Sequence, residues 1–208
     1  MHQHESQGKM TKRIAKGGKK SQQGRLRIVA GKWRSRLLHI ADVPGLRPTS
    51  ERIRETLVGW LTPRIAGARC LDLFAGTGAL GIEAMSRGAT VTVFVENSPT
   101  AVSALRNNIA ALGASAADVR NTDAFEFLQN AGVEKFDIVF LDPPFAADIL
   151  GDLCRLLDET SILASGARIY LEEDRAKPAV ALPKGWQVLK TKKAGNVRYS
   201  LVSAEGPD

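Results

Sequence analysis

The chain has 208 residues, 44% of them hydrophobic and 25% charged, enough for one well-buried domain with an appendage but too few for two of full size. No stretch approaches the roughly 18 uninterrupted apolar residues of a membrane span, and the N-terminus lacks the apolar segment of a secretory signal, so the expected compartment is the cytoplasm. The net charge of +7 is uneven: residues 1–36 hold eleven Lys or Arg against one acid, Glu5, while the other 172 residues carry 18 bases and 21 acids, and a mildly acidic domain with a basic N-terminal arm implies a polyanionic partner.

Residues 1–24 are rich in Gly, Lys and Gln with almost no apolar content, and are expected to form a disordered basic tail. Over residues 25–40, two short alternating runs flank Ala30-Gly31-Lys32, which predicts a β-hairpin whose bases and Trp33 lie along a ribbon facing nucleic acid. The run "RPTSERIRETLVGWL" predicts a helix capped by Thr49 or Ser50, with Ile53, Leu57 and Leu61 on one face. Pro63 is expected to end it. Hairpin and helix, residues 25–62, read as a nucleic-acid-facing extension, and residues 63–208 as the main domain.

From Arg69 the pattern alternates strand and helix: "RCLDLFA" strand, "ALGIEAMSRG" helix, "TVTVFVE" strand, "SPTAVSALRNNIAALG" helix, "ADVRNTD" strand, "AFEFLQNAG" helix, "FDIVFLD" strand. Ser98, Pro99 and Gly113 punctuate the second of these helices as cap, first turn and stop. A helix near 148–158, a strand near 167–172 and a hairpin of "GWQVLKTKK" and "NVRYSLVS" around Ala194-Gly195 complete the sheet. This predicts an α/β fold, a mostly parallel sheet with crossover helices and an antiparallel C-terminal hairpin. Cys70 and Cys154 fall in apolar runs without C-x-x-C spacing, and His2, His4 and His39 are scattered, so neither metal nor disulfide is expected.

In an open α/β sheet ligands bind beyond the carboxyl ends of the strands. After the first parallel strand, Gly76, Gly78 and Gly81 satisfy G-x-G-x-x-G, a weak signal shared by several nucleotide-binding folds. Glu96, twenty residues after Gly76, is placed to grip a ribose. Four acids crowd this edge, namely Asp72, Glu96, Asp123 and Asp142. Such a rim repels a pyrophosphate and attracts a cation, by up to about 4 kcal/mol for a close pair at an effective dielectric near 20. An adenosine that carries positive charge, S-adenosylmethionine, satisfies both requirements. The strand "FDIVFLD" then runs into Asp142, Pro143, Pro144 and Phe145, and two prolines support neither strand nor helix. Methyl transfer to the exocyclic amine of a base explains the shape. Asp142 and a backbone carbonyl freed by the prolines accept the amine hydrogens and favour its nucleophilic form, while Phe145 stacks an extruded base, worth roughly 1–3 kcal/mol against a flipping cost of a few kcal/mol.

The blocks "RIVAGKWRSRLL", "RPTSERIRETLVGWL", "LDLFAGTGALGIEAMSRGA", "VENSPTAVSALRNN" and "FDIVFLDPPF" occur in the order found in the bacterial 16S ribosomal RNA guanine-N2 methyltransferase family, which the chain resembles over about residues 25–203. The resemblance implies the seven-stranded, Rossmann-like class I methyltransferase sheet, S-adenosylmethionine as cofactor, and 16S rRNA of the small subunit as partner. It also implies that Asp72, Phe74, Ala75, Gly76, Thr77 and Gly78 form the methionine-side loop. Glu96 and Asn97 would hold the ribose, Asp123 and Ala124 the adenine, and Asp142, Pro143, Pro144 and Phe145 would be catalytic. Arg25, Arg27, Lys32, Trp33, Arg34 and Arg36 of the hairpin, with Arg47 and Thr49 beside the active site, would meet RNA. A monomer is the default. The basic tail is longer than the resemblance requires, and Arg198 places a charge where the family's C-terminal hairpin is expected to be less charged.

A DNA adenine-N6 methyltransferase would share cofactor and D-P-P-F, but no separate target-recognition domain is visible. A cytosine-C5 enzyme needs a cysteine at its proline motif, where Cys154 does not stand. A nicotinamide-dependent oxidoreductase would share the glycine loop and leave D-P-P-F unexplained, and an RNA-binding module without catalysis would need neither.

Overall fold

A computed structural model of the chain describes residues 24–43, 48–130 and 132–205. The chain enters through a two-stranded antiparallel ribbon, β1 (Arg25–Arg27) and β2 (Leu37–His39), with Leu26 opposite Leu38. Its connection is wider than the predicted Ala30–Lys32 turn. Residues 30–35 turn, and Ile28 and Ser35 bond across its base to Arg36 and Ile28 carbonyls at 2.9 Å each.

Helix α1 (Glu51–Ile65) begins at Ser50, whose hydroxyl accepts from Ile53 N at 3.4 Å. It does not stop at Pro63. The proline lies in the last turn, where it removes one backbone donor, and Ile65 beyond it is buried, so packing carries the helix past a residue that would break its middle.

The main sheet follows in alternation: β3 (Arg69–Asp72), α2 (Ala79–Ser86), β4 (Val91–Val95), α3 (Pro99–Leu112), β5 (Ala117–Arg120), α4 (Ala124–Gln129), β6 (Phe136–Leu141), α5 (Leu150–Glu159), β7 (Leu163–Asp174), β8 (Gln187–Ala194) and β9 (Val197–Ser203). Its seven strands run in the order β5-β4-β3-β6-β7-β9-β8. β9 lies antiparallel to both β7 and β8, as the expected C-terminal hairpin requires, and β7 is longer than the predicted 167–172.

Because helices cover both faces, the central strands are apolar on both sides. Leu71, Val139, Leu141, Ile169 and Leu171 pack on α4 and α5. Cys70, Ile138, Phe140 and Tyr170 pack on α1 and α2. Both cysteines are free and buried. The N-terminal ribbon belongs to this interior, since Leu26, Ile28, Trp33 and Leu38 cluster with Ala79, Ile82 and Phe94. Among the described residues no helix is long and apolar enough to cross a membrane. The strand order reverses between β3 and β6, and there the carboxyl ends of the parallel strands leave a crevice.

Candidate active site

Three carboxylates stand in a row at this reversal. Asp72 ends β3 opposite Phe140 of β6. Phe140 and Leu141 pair with Tyr170 and Leu171 of β7, so the next residues, Asp142 and Glu172, are neighbours across the strand ends. Side chains alternate along a strand, and Asp142 and Glu172 therefore project from the face that carries Phe140 and Tyr170. Asp72 is 2% exposed and Glu172 4%, while Asp142 is half-buried at the mouth of the crevice. Asp72 Oδ2 accepts from Gly81 N at 3.0 Å, Asp142 Oδ2 from the Thr49 hydroxyl at 3.1 Å, and Glu172 Oε1 from the Tyr170 hydroxyl at 2.7 Å.

Among the described residues no Lys or Arg forms an ion pair with any of the three. Loss of water therefore decides their protonation. Burial pushes the Asp72 carboxyl up to about 7, against the opposing pull of the Gly81 N–H. It raises Asp142 as well, helped by the charge of Glu172 and resisted by the Thr49 hydroxyl, and it raises Glu172 against its bond from Tyr170. An edge of this kind suits a cationic ligand and a group rich in N–H donors.

Glu96 ties two loops together at the same edge. Its Oε2 accepts from Gly76 N at 2.9 Å and its Oε1 from Ser98 N at 2.8 Å. Gly78 caps α2 with φ +81°, and a Cβ there would stand 2.5 Å from Leu105 Cδ1, so the loop needs a residue without a side chain. Ala75, Gly76 and Thr77 are buried in this loop and Phe74 is half-buried. Asn97 is exposed beside Glu96, and Asn121 Nδ2 donates to the carbonyls of both, at 2.9 Å to Glu96 and 3.2 Å to Asn97. Asp123 caps α4 by accepting from Phe125 N at 2.8 Å, with Ala124 buried behind it.

Pro143 is buried, Pro144 exposed and Phe145 half-buried. Phe145–Ala147 forms a single 3-10 turn, closed by Ala147 N donating to Pro144 O at 2.9 Å. The carbonyls of Asp142 and Pro143 accept no hydrogen bond among the described residues. A cavity of about 340 Å³ lies between Pro143–Phe145, the start of α5 and the segment after β7, at the small end of ligand-sized pockets, roughly 300–1,000 Å³. Arg198 secures its far wall. It pairs with Glu173 at 3.0 Å and donates to the carbonyls of Lys177 and Pro178 at 3.2 and 2.9 Å, while Glu173 accepts from Val180 N at 2.7 Å. The charge not expected in this hairpin thus has a structural task.

The residues expected to meet RNA divide. Arg25, Arg27, Lys32, Arg34 and Arg36 are exposed, and Arg36 donates to Ala111 O at 2.9 Å. Trp33 departs from its expected place on the ribbon's outer face: it is 7% exposed and packed in the core, because Trp33 N and Lys32 N bond to Ser86 Oγ and O at 3.0 and 2.6 Å and draw the turn onto α2. Gly31 permits that approach, since a Cβ there would fall 1.9 Å from Ser86 O. Thr49, 7% exposed, is turned inward to Asp142 rather than outward. Arg47 lies outside the described residues, as do residues 1–23 of the tail.

Sequence reasoning missed Glu172, Tyr170 and a buried cation, Arg54. Arg54 pairs with Glu83 and donates to Thr49 O at 3.1 Å and Arg27 O at 3.0 Å, joining ribbon, helix and Thr49. Its signal was present: Glu83 is the one acid in "ALGIEAMS", a run otherwise suited to full burial, and a buried acid needs a partner.

The sequence pattern of the family described as "Conserved hypothetical protein 95" matches residues 26–203. The chain is 43% identical over 182 residues to the "Ribosomal RNA small subunit methyltransferase D" of Escherichia coli K12, spanning 88% of this chain and 91% of that one. It is 42% identical over 181 residues to the Haemophilus influenzae protein of the same description, 86% of this chain and 93% of the other. The solved structure "Putative methyltransferase yhhF from Escherichia coli" superposes with a TM-score of 0.81 at 39% identity, covering 88% of this chain and all (100%) of that one.

Proposed function

The chain belongs to the Conserved hypothetical protein 95 family, and on that premise we propose that it transfers a methyl group from S-adenosylmethionine to the exocyclic N2 amine of a guanine in 16S rRNA of the small ribosomal subunit. The observation that carries the reading is Asp142, held by Thr49 at the end of β6 and followed at once by Pro143, Pro144 and Phe145.

The residues at the edge fit the cofactor. Three carboxylates without a cation, Asp72 and Glu172 buried and Asp142 half-buried, suit a ligand with positive charge, and the loop at Gly76–Gly78 is too close-packed for a side chain at Gly78. Asp72 and the loop Phe74–Gly78 would hold the methionine end, Glu96 and Asn97 the ribose, and Asp123 and Ala124 the adenine. When bound, S-adenosylmethionine supplies a methyl group on a cationic sulfur. Asp142 and a carbonyl beside it accept the hydrogens of the target amine, which favours its nucleophilic geometry. The carboxylate of Asp142, half-buried at this edge and held by Thr49, is placed to take the proton that the amine loses. Phe145 offers the face against which the base rests, and the exposed arginines of the ribbon meet RNA phosphates. The reading places the protein in the cytoplasm as a monomer that uses no metal.

The test is methyl transfer from labelled S-adenosylmethionine to small subunits taken from cells lacking this protein, followed by nucleoside analysis. Label in N2-methylguanosine is the expected result. Label in another nucleoside, or none despite cofactor binding, refutes the assignment.

A further inference from the structure

Glu172 contributes only its charge to the reading above, yet it is one of the most constrained groups at the site. It is 4% exposed, its Oε1 is fixed by the Tyr170 hydroxyl at 2.7 Å, and it lines the cavity beside Pro143 and Phe145. The pairing of Leu141 with Leu171 sets it next to Asp142 on the neighbouring strand, strands that run about 4.8 Å apart. No basic side chain among the described residues pairs with it, although a buried carboxylate ordinarily demands such a partner.

The two neighbouring acceptors narrow what can approach. Every base with an exocyclic amine offers that amine to Asp142, but the bases differ in the ring position beside it. Guanine carries a hydrogen on N1, next to N2, so its edge presents adjacent donors. Adenine and cytosine carry a lone pair at the ring nitrogen beside the amine, which a second carboxylate repels. We propose that Glu172 is the specificity residue for guanine, accepting the ring N1–H while Asp142 accepts from the N2 amine.

This inference rests on the reading of the site as a guanine-N2 methyltransferase and names the group that selects the base. The electrostatics agree with it. Both carboxyls lie above their usual range, burial being the first cause for each, and two N–H donors would lower both. A site built to hydrogen-bond a particular donor rejects analogues lacking it far more strongly than a shape-only pocket can.

The experiment uses small subunits reconstituted with 16S RNA carrying either guanine or 2-aminopurine at the methylated position. 2-Aminopurine keeps the amine at C2 but has a lone pair at N1. The wild-type protein is expected to favour guanine by about 100-fold or more in kcat/KM. Glu172→Gln, whose amide can donate to that lone pair, is expected to narrow the ratio at least tenfold by retaining activity on 2-aminopurine. Tyr170→Phe, which removes the hydroxyl that orients Glu172 while keeping the carboxyl itself, is the second variant and moves the ratio the same way if Glu172→Gln does not fold. Equal use of both bases by wild type, or a ratio left unchanged in the variants, overturns the role of Glu172 alone. Absence of N2-methylguanosine with wild type on the guanine subunits overturns the proposed function and this inference together.

Discussion

Arg54 and Glu83 form an ion pair in which the two side chains are 0% and 3% exposed. The same guanidinium donates to the carbonyls of Thr49 and Arg27, and Glu83 also accepts from Val29 N at 2.6 Å. One pair of buried charges therefore joins the N-terminal ribbon, α1, α2 and the residue that holds Asp142. Burial lowers the Arg54 group and raises the Glu83 group, so each depends on the other to remain charged.

Arg54→Met leaves Glu83 buried without its cation, which is expected to destabilise the fold by about 3–5 kcal/mol. The shift should appear in the denaturant midpoint with little change in slope. Arg54→Met combined with Glu83→Met should recover much of that loss, since two apolar side chains can replace a buried pair. A double variant as unstable as the sum of the singles would mean that the pair is valued for its backbone bonds.

Asp142→Ala should abolish turnover while S-adenosylmethionine binding, followed by calorimetry, stays within a few-fold of wild type. Thr49→Val removes one bond to that carboxylate and should lower kcat by about tenfold, with about 0.5–1.5 kcal/mol lost from stability. Full activity in the alanine variant would contradict the role given to Asp142.

Asp72 makes stability depend on pH. Its carboxyl is raised from 3.8 to about 7 in the folded chain, so between those values the unfolded chain releases a proton that the folded one keeps. The folded state therefore loses stability as pH rises through this window, and the loss is complete above about 7. Asp72→Asn should remove this contribution and gain on the order of 2–4 kcal/mol at pH 8 relative to wild type, measured by urea melts at several pH values. An unchanged pH profile would place the titration elsewhere.

Replacing Arg25, Arg27, Arg34 and Arg36 with Gln should weaken RNA binding and flatten its salt dependence, by about 0.7–0.9 in log–log slope for each phosphate that is no longer neutralised. Removing residues 1–24 should act in the same sense. Turnover at saturating subunit concentration should be unaffected, because none of these side chains bonds to Asp142. A slope that does not change would mean the ribbon faces something other than RNA.

Arg198→Ala should loosen the cavity wall it ties to Glu173, Lys177 and Pro178. The expected outcome is a rise in KM for the RNA substrate of about tenfold with a smaller change in kcat, seen in steady-state kinetics. Faster hydrogen exchange at Val180 would accompany it.

The parallel sheet was legible because its strands are short apolar runs separated by capped helices: Ser98, Pro99 and Gly113 bound α3 as read, and Ser50 caps α1. The glycine loop and the acids at the strand ends follow from the same reading, since they sit where each run stops. Three features were hidden. Pro63 is a breaker in isolation but a last-turn residue here, and Trp33 reads as a ribbon aromatic until Ser86 draws the turn inward. Glu172 is one of three consecutive acids in "RIYLEED", and only the register of β7 against β6 reveals which of them meets Asp142. Neighbours of this kind are set by pairing between distant segments, which local pattern does not encode.

β9 is the last strand among the described residues and yet lies inside the sheet, between β7 and β8. During synthesis β7 and β8 exist before the strand that separates them, so the sheet closes only when residues 197–203 have left the ribosome. Until then the long edge of β7 is an open template for other chains, and the wall that Arg198 secures has no anchor. A chain that lacks β9 is thus exposed to aggregation and unfinished at its cavity at once, and the protein acquires a protected edge and an anchored cavity wall in the same step.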